Sequence, residues 1–549
     1  MKKIIYLLLG AILTLTSCFE DEGNYDYKEI NPPHWIQDFS MVPEYLVGYM
    51  EGDIVGKGSR MFVWDTDSLQ RASEVRYEWV VNNRVISEEI DFKMPVSEFM
   101  EKAGIKVLED EGAYTGSFNI IEKETGITFM AKLSVWLYPY YAPDDWFILA
   151  DDGGKTNVAS LRSRLVAENG NTVEKFILQN YDFENRNGGA TIPGKPISMA
   201  WAKARDFGTQ GSITVMTDQV AYEMNAENLE KISEPKEQFL DGTPANFKPL
   251  YRADLNASSE GELPCTYLVD ASGAVYARQM SANYLGGRYL TEPYQMDNKG
   301  YKCAFFGNSR YAGTIPGYDE KNRRLMFATS WREDIEGSAP TYRIILYPAT
   351  ESKNSAPISE FPEGTEVLHL SVVGCYSFAI PRNSSVYTVV YNDPAKPDVT
   401  ISSDFCINDQ SMKPVYYQMA THYAMERLDK SSQILISGTA RTDRTSKNAA
   451  SRTFYSVGNK LKYVQRAQDW YAKPQRVVEF PYSFDSKITC LTYAYLVCDR
   501  LVVGCENGDL FIFDINFIDS PQLLFKGKVK GKVMECKQLG QRRPGNDTF

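Results

Sequence analysis

Short alternating runs of apolar and polar residues, broken at intervals by Gly, Asn and Asp, fill the chain from about residue 45 onward. A period of two places successive side chains on opposite faces of a strand, so these runs predict β-structure. VRYEWVVNNRVIS (75–87) predicts a hairpin about Asn82-Asn83, residues that tolerate the positive φ of a tight turn. GAYTGSFNIIEKETGITFMAKLSVWLY (112–138) predicts further strands with a turn at Thr125-Gly126. Trp79, together with the later Gly112-x-Tyr114, fits an immunoglobulin/PKD-type sandwich in which a Trp fills the core and a Tyr pins a corner. Beyond Trp146 a looser unit recurs, strand–turn–strand, as in WFILADDGGKTNVASLR (146–162) and LVVGCENGDLFIFD (501–514). Turn centres near 153, 218, 272, 335, 383, 459 and 507 mark seven units, spaced by roughly 50–75 residues, a period that fits four-stranded propeller blades. The fold class predicted is therefore all-β: an N-terminal Ig/PKD-like β-sandwich followed by a β-propeller-like domain of seven blades. A string of further sandwiches is the rival architecture. The boundaries expected are a leader at 1–17, an anchor and proline-bearing linker at 18–44, the sandwich at 45–140, the propeller at 141–537 and a polar tail at 538–549. FKGKVKGKVMECK (525–537) reads as a half-solvated edge or closing strand, since lysines on an edge discourage sheet-to-sheet association. RTDRTSKNAASR (441–452) reads as a long loop.

The start of the chain breaks this pattern. Lys2 and Lys3 precede an almost unbroken apolar run at 4–15. Spanning a bilayer takes about 20 residues, whereas a signal-peptide core takes about 7–15, so the run is expected to be a signal peptide. Leu15-Thr16-Ser17-Cys18 resembles a bacterial lipobox, which implies cleavage before Cys18, lipid on its sulfur and acylation of the new amine. More than one acyl chain anchors a protein far better than a single one. The acidic residues Glu20, Asp21 and Glu22 then resemble a surface-export signal, as opposed to a plain solvated leader.

Two stretches carry a family resemblance. FEDEGNYDYKEIN (19–31), with its Gly23-Asn24-Tyr25-Asp26-Tyr27 run, and SVWLYPYYAPDDWFILADDGG (134–154) resemble the PKD-like family lipoproteins of Bacteroidetes. Asp145 stands where that pattern carries glycine, and Asn31-Pro32-Pro33 gives a stiffer lead into the first domain. The resemblance implies a lipid-anchored outer-membrane protein exposed on the cell surface and associated with SusC/SusD-like nutrient importers. It also agrees with a propeller-like second half.

Composition narrows the function classes. The 549 residues carry a formal charge of −12, and losing Lys2 and Lys3 with the leader makes it −14, a poor match for nucleic acid. The 35 Tyr, 27 Phe and 8 Trp suit β-sheet cores. Eight cysteines besides Cys18 lie singly in apolar strings such as LPCTYLV and VVGCYSF, which favours buried free thiols, although an exported chain also permits disulfides.

The chemistry-bearing motifs are few. His34, His369 and His422 are the three histidines, and none sits in a metal or catalytic-triad motif, so neither a metal nor a cofactor is called. Gly189 through Gly194-Lys195 imitates a phosphate loop, but Pro196 replaces the required Ser or Thr and brings no N–H. Asp151-Asp152-Gly153-Gly154 reads as a hairpin loop in preference to a calcium turn. No catalytic residues are assigned. Tyr138, Tyr140, Tyr141 and Trp146 cluster where the two domains join, and Trp470-Tyr471 follow a polar stretch. Tyr140, Tyr141, Trp470 and Tyr471 are the candidate ligand-binding aromatics, with packing the competing role for those at the join. The function expected is a non-catalytic surface lipoprotein that binds a nutrient polymer, glycan or peptide, or docks on a SusC/SusD-like import system. The alternative is a surface-anchored hydrolase using paired Asp or Glu residues of the propeller.

Overall fold

The computed structural model describes residues 32–538 apart from 65–72, 107–113, 143–144, 169–170, 203–210, 256–264, 280–286, 308–313, 334–340, 351–356, 376–383, 409–414, 438–451, 466–476 and 495–499. Two compact units emerge, one of residues 1–107 with 113–137 and one of 108–112 with 138–549. Each is β-structured.

In the first unit the strands are His34–Trp35 (β1), Glu44–Tyr49 (β2), Asp53–Lys57 (β3), Phe62–Val63 (β4), Val75–Val81 (β5), Arg84–Ser87 (β6), Asp91–Pro95 (β7), Tyr114–Glu122 (β8) and Thr128–Tyr138 (β9). A five-stranded sheet runs β2-β9-β8-β5-β6, while β3 pairs with β7 and β1 with β4. The β5–β6 hairpin turns through Asn82 (φ 50°) and Asn83 (φ 60°), as the dipeptide predicts, and Gly126 (φ 74°) sits in the β8–β9 turn. Trp79 is fully buried. Its ring lies 4.6 Å from Phe118 in the same sheet and 5.0 Å, edge-on, from Phe92 of β7, and its indole N–H donates to the Glu89 carbonyl at 2.9 Å. That is the core role expected of it. Tyr114 opens β8 opposite Val135, while Gly112 lies outside the described residues.

A helix, α1 (Val96–Ala103), follows β7 where the alternation reading predicts only strands. Its signals are local. Val96, Phe99 and Ala103 recur at helical spacing and are buried, Pro95 precedes the first turn, and Gly104 closes the last at φ 69°.

The second unit is a cycle of seven sheets. The first holds Trp146–Asp152 (β10), Lys155–Glu168 (β11) and Asn171–Gln179 (β12), followed by the short helix α2 (Asp182–Arg186). The second holds Pro196–Ala202 (β13), Ser212–Thr217 (β14), Ala221–Asn225 (β15) and Lys231–Ser233 (β16). In the third, Pro249–Leu255 (β17), Cys265–Asp270 (β18) and Val275–Gln279 (β19) are the strands among the described residues. The fourth holds Cys303–Phe306 (β20), Thr314–Asp319 (β21), Arg324–Glu333 (β22) and Thr341–Pro348 (β23). Glu366–Cys375 (β24), Ser384–Asn392 (β25), Val399–Asn408 (β26) and Val415–Glu426 (β27) form the fifth. Ile434–Ser437 (β28), Arg452–Val457 (β29), Lys460–Gln465 (β30) and Val477–Glu479 (β31) form the sixth. Ile488–Tyr493 (β32), Arg500–Cys505 (β33), Asp509–Asp514 (β34) and Gln522–Lys528 (β35) form the seventh. The last strand, Lys532–Gln538 (β36), returns to the first sheet and pairs antiparallel with β10, Trp146 opposite Gln538.

Seven apolar clusters join each sheet to the next, and the series closes because the seventh packs on the first. Strand β10 shows how alternation serves this closure. Phe147 and Leu149 enter the cluster shared with the second sheet, whereas Trp146, Ile148 and Ala150 enter the cluster shared with the seventh. Both faces of the strand are buried, which is why WFILA is continuously apolar. The fold is a seven-bladed β-propeller closed by its own C-terminal strand.

Five of the expected turn centres, 153, 218, 272, 459 and 507, fall between the second and third strands of their blades. The other two, 335 and 383, lie outside the described residues, between the paired strands β22 and β23 and between the paired strands β24 and β25. The second-to-third-strand turn of the fourth blade is at 320–323 and that of the fifth at 393–398. FKGKVKGKVMECK divides into an outer edge strand, β35, and the closing strand, β36, so each of its two structural readings describes one part.

Candidate functional site

The segment leading into the first blade carries two of the candidate aromatics. Tyr141 is fully buried, its ring 4.8 Å from Phe147, and its hydroxyl donates to Asp182 Oδ2 at 2.8 Å. The Ser160 hydroxyl donates to the same carboxylate oxygen. Burial and the neighbouring Asp182 charge push the Tyr141 phenol far above its ordinary range, so it stays protonated. Tyr140 sits edge-on to Tyr141, with the Arg186 guanidinium 3.3 Å and that of Arg162 4.3 Å from its ring centroid. Cation–π contacts of this kind pin the ring. Both tyrosines are thus engaged in fastening the chain to the blade, and the expectation that they stack on a ligand gives way to packing.

Asp145, the departure from the family pattern, completes this fastening. Its fully buried carboxylate accepts the N–H groups of Ala142 and Ser163 and the Arg164 guanidinium, each at 2.8 Å, and Arg164 also donates to the Tyr140 carbonyl at 2.7 Å. Burial outweighs these partners and raises the Asp145 pKa. Glycine could supply none of these bonds.

Asp151-Asp152-Gly153-Gly154 forms the β10–β11 hairpin. Asp151 accepts the Gly154 N–H at 2.7 Å and lies 3.5 Å from Lys195, while Asp152 accepts the Tyr181 hydroxyl. These carboxylates already have protein partners, in keeping with the hairpin reading. Tyr181 holds a left-handed backbone (φ 54°, ψ 39°), uncommon for a bulky residue, and Lys155 lies 4.2 Å from its ring centroid.

The junction of the second and third blades holds a cluster of buried charges, and nothing in the motif reading pointed to it. Glu223 of β15, 4% exposed, accepts Arg252 Nη1 at 3.1 Å and Arg278 Nη2 at 2.9 Å on one oxygen, which also takes the Ser212 hydroxyl at 2.9 Å. Arg252 reaches back through Nε to Asp254 at 2.9 Å, and Asp254 accepts the Thr266 hydroxyl at 2.8 Å. Gln238 donates to Glu223 and accepts from Arg278, whose guanidinium lies 4.9 Å from the Tyr289 ring centroid. Burial disfavours ionised Glu223, but Arg278 and Arg252 outweigh it and hold the carboxyl well below its ordinary value. Arg252 Nη2 and Arg278 Nε are buried without a hydrogen-bond partner. Two cations and two carboxylates balance, so the cluster works as a rigid ionic core. The sequence signal was an arginine inside each of the short strand runs LYRADL and VYARQ.

His369 of β24 has a buried Nε2 with no partner, and burial pushes its pKa down to about 4, so the ring is neutral at neutral pH. Cys265, Cys303, Cys490, Cys505 and Cys536 are buried free thiols, as expected of them. Among the described residues no group of three or more His, Cys, Asp or Glu side chains is placed to hold a metal, and no helix is long and apolar enough to cross a membrane. Cys18, Glu20, Asp21, Glu22, Trp470 and Tyr471 lie outside the described residues.

An immunoglobulin/PKD-like sandwich followed by a closed propeller is the class of protein that these elements define. Residues 18–196 match the PKD-like family model. The chain is also similar to a quinonprotein alcohol dehydrogenase-like protein from Bacteroides thetaiotaomicron at 12% identity and a TM-score of 0.35, covering 92% of this chain and 99% of that one. AztD from Citrobacter koseri is similar at 11% identity and a TM-score of 0.34, over 84% of this chain and 97% of that one. No curated protein matches.

Proposed function

We propose that the chain is a lipid-anchored lipoprotein of the outer-membrane surface, a non-catalytic platform that binds a nutrient glycan or peptide or docks on a SusC/SusD-like importer. The observation that carries this reading is where the family match begins. It opens at residue 18, the cysteine of the lipobox-like Leu15-Thr16-Ser17-Cys18, and runs on through the sandwich into the first strand of the second blade. A match that starts at that cysteine and leaves residues 1–17 outside it supports a mature terminus at Cys18. The buried carboxylates of Glu223 and Asp182, each held by neighbouring side chains, fit a rigid display scaffold.

Mass spectrometry of the chain from native membranes is the first test. The amino-terminal peptide is expected to begin at an acylated Cys18, and Cys18→Ser to leave the chain unprocessed and absent from the mature membrane fraction. External protease on whole cells should digest the wild-type chain but spare a variant with Glu20, Asp21 and Glu22 all changed to Ala. A bare terminus, or digestion of that triple variant as complete as the wild type's, defeats the address. Recovery of no importer in a detergent pull-down, combined with no retention on glycan or peptide arrays, defeats the platform role.

A further inference from the structure

Docking of the closing strand brings together two cysteines of the last part of the propeller sequence. Cys490 lies on β32, the first strand of the seventh blade, and Cys536 on β36, the closing strand. These two strands are neighbours across the seam. The Thr489 hydroxyl donates to the Val533 carbonyl at 2.7 Å in a buried bond, which fixes their register. Packing at this point is tight. A Cβ added at Gly504, the residue opposite Cys490, would fall 2.4 Å from Val533 Cγ1 and 3.1 Å from Cys490 Cβ. The Cys490 and Cys536 side chains are buried in one apolar cluster. Cys505, nearby in sequence, belongs to the cluster on the other face of the seventh blade, so the sheet itself separates it from this pair.

We propose that Cys490 and Cys536 are a disulfide-forming pair that fastens the closing strand β36 to the seventh blade. The oxidant is a small or protein disulfide. The Cys490 thiolate attacks one of its sulfurs, forming a mixed disulfide and expelling one thiolate. The Cys536 thiolate then attacks the Cys490 sulfur and expels the second, so two electrons and the two cysteine protons end on the oxidant's thiols. In the closed ring, contact with Cys490 and burial push the Cys536 thiol up, which suppresses thiolate chemistry there. Exchange therefore occurs while the seam is open, during folding, and the finished bond is shielded from reductant. A cross-link joining the first strand of the last blade to the strand that follows that blade removes states in which β36 is detached from the seventh blade, and so holds it where β10 pairs with it.

The test unfolds the full chain, refolds it with a mixture of glutathione and glutathione disulfide, and alkylates it in denaturant. Peptide mass spectrometry is expected to find Cys490 and Cys536 joined, lighter by two hydrogens and unalkylated, with Cys265, Cys303 and Cys505 alkylated. The melting midpoint should fall when the refolded chain is reduced in denaturant and refolded without oxidant. Cys490→Ser is expected to leave Cys536 alkylated and to abolish that fall. Full alkylation of both cysteines, or Cys536 joined to another partner, overturns the proposal, and so does an undiminished fall in the variant. Refolding in a tube makes the result independent of where the cell places the chain.

Discussion

At the scale of single residues, the side chains that matter most sit where charge is buried. Glu223 faces Arg252 and Arg278 with little water to screen them, so removing its charge leaves two guanidiniums confronting each other with Asp254 the one remaining carboxylate named in the cluster. Breaking a buried ion pair from one side costs about 3–5 kcal/mol. Glu223→Gln is expected to lower the thermal midpoint at neutral pH accordingly. The pH dependence has a definite sign. A carboxyl held below its ordinary value of 4.5 in the folded chain contributes stability that is complete above that value and is lost as pH falls toward the folded pKa. The variant should therefore show a shallower acid limb when melting is followed from neutral pH downward, and an unchanged limb would remove Glu223 as a source of acid sensitivity. The sequence foretold little of this cluster. Glu223, Arg252 and Arg278 come from two blades, and only the packing of one sheet on the next brings them together. The tyrosine pair at 140–141 was visible as aromatic wealth, but whether it stacked on a ligand or on the protein depended on Asp182, Arg162 and Arg186, all at least 21 residues further on.

Elements depend on turns, and the glycines there separate two physical costs. Gly153, at φ 64°, has open space where a Cβ would go, whereas at Gly531, φ 99°, a Cβ would fall 2.5 Å from the Asp151 carbonyl oxygen and 2.6 Å from the Asp152 nitrogen. Gly153→Ala should cost only the left-handed backbone penalty, about 1–2 kcal/mol. Gly531→Ala carries a comparable penalty and also forces backbone apart where the β35–β36 loop meets the first blade, so its loss of stability in denaturant titration should be clearly larger. Equal losses would mean the loop gives way freely. The same turn chemistry explains which blades were legible. Four of the second-to-third-strand turns that were located, at 153, 272, 459 and 507, carry Gly between apolar runs, and the one at 218 carries Asp218. In the fourth blade that turn is Glu320-Lys321-Asn322-Arg323, with the positive φ (51°) taken by Arg323, and in the fifth it is built around Asp393-Pro394. Neither has glycine, and the sequence marked a different connection of each of these blades, through DIEGSAP and PRNSS, between strands that do pair. The helix at Val96–Ala103 was missed for a related reason. Eight residues are too few for a strong period to show against a background of short strands.

For the whole propeller, closure is what turns a series of hairpins into one cooperative body. Each blade buries apolar side chains on both faces, so a missing neighbour uncovers a core on two sheets at once. The seam between the seventh and first blades is made by one strand. β36 supplies the backbone partners of β10 from Trp146 to Asp151 and inserts Val533 and Cys536 into the seam cluster. A chain shortened to end at 531 loses that strand while every other β-pairing of the propeller remains. Domain stability is about 5–15 kcal/mol, and the loss of a central ladder together with an exposed core on each side is of that order. The shortened chain is therefore expected to lose the cooperative melting transition of the propeller and to aggregate on size exclusion through the bare edge of β10, as unpaired edges do. A chain ending at 538 keeps β36 and should melt with the full-length protein. If the chain ending at 531 also melted there, the blades would be stable without closure, and the composite first blade would be a matter of topology with no energetic role.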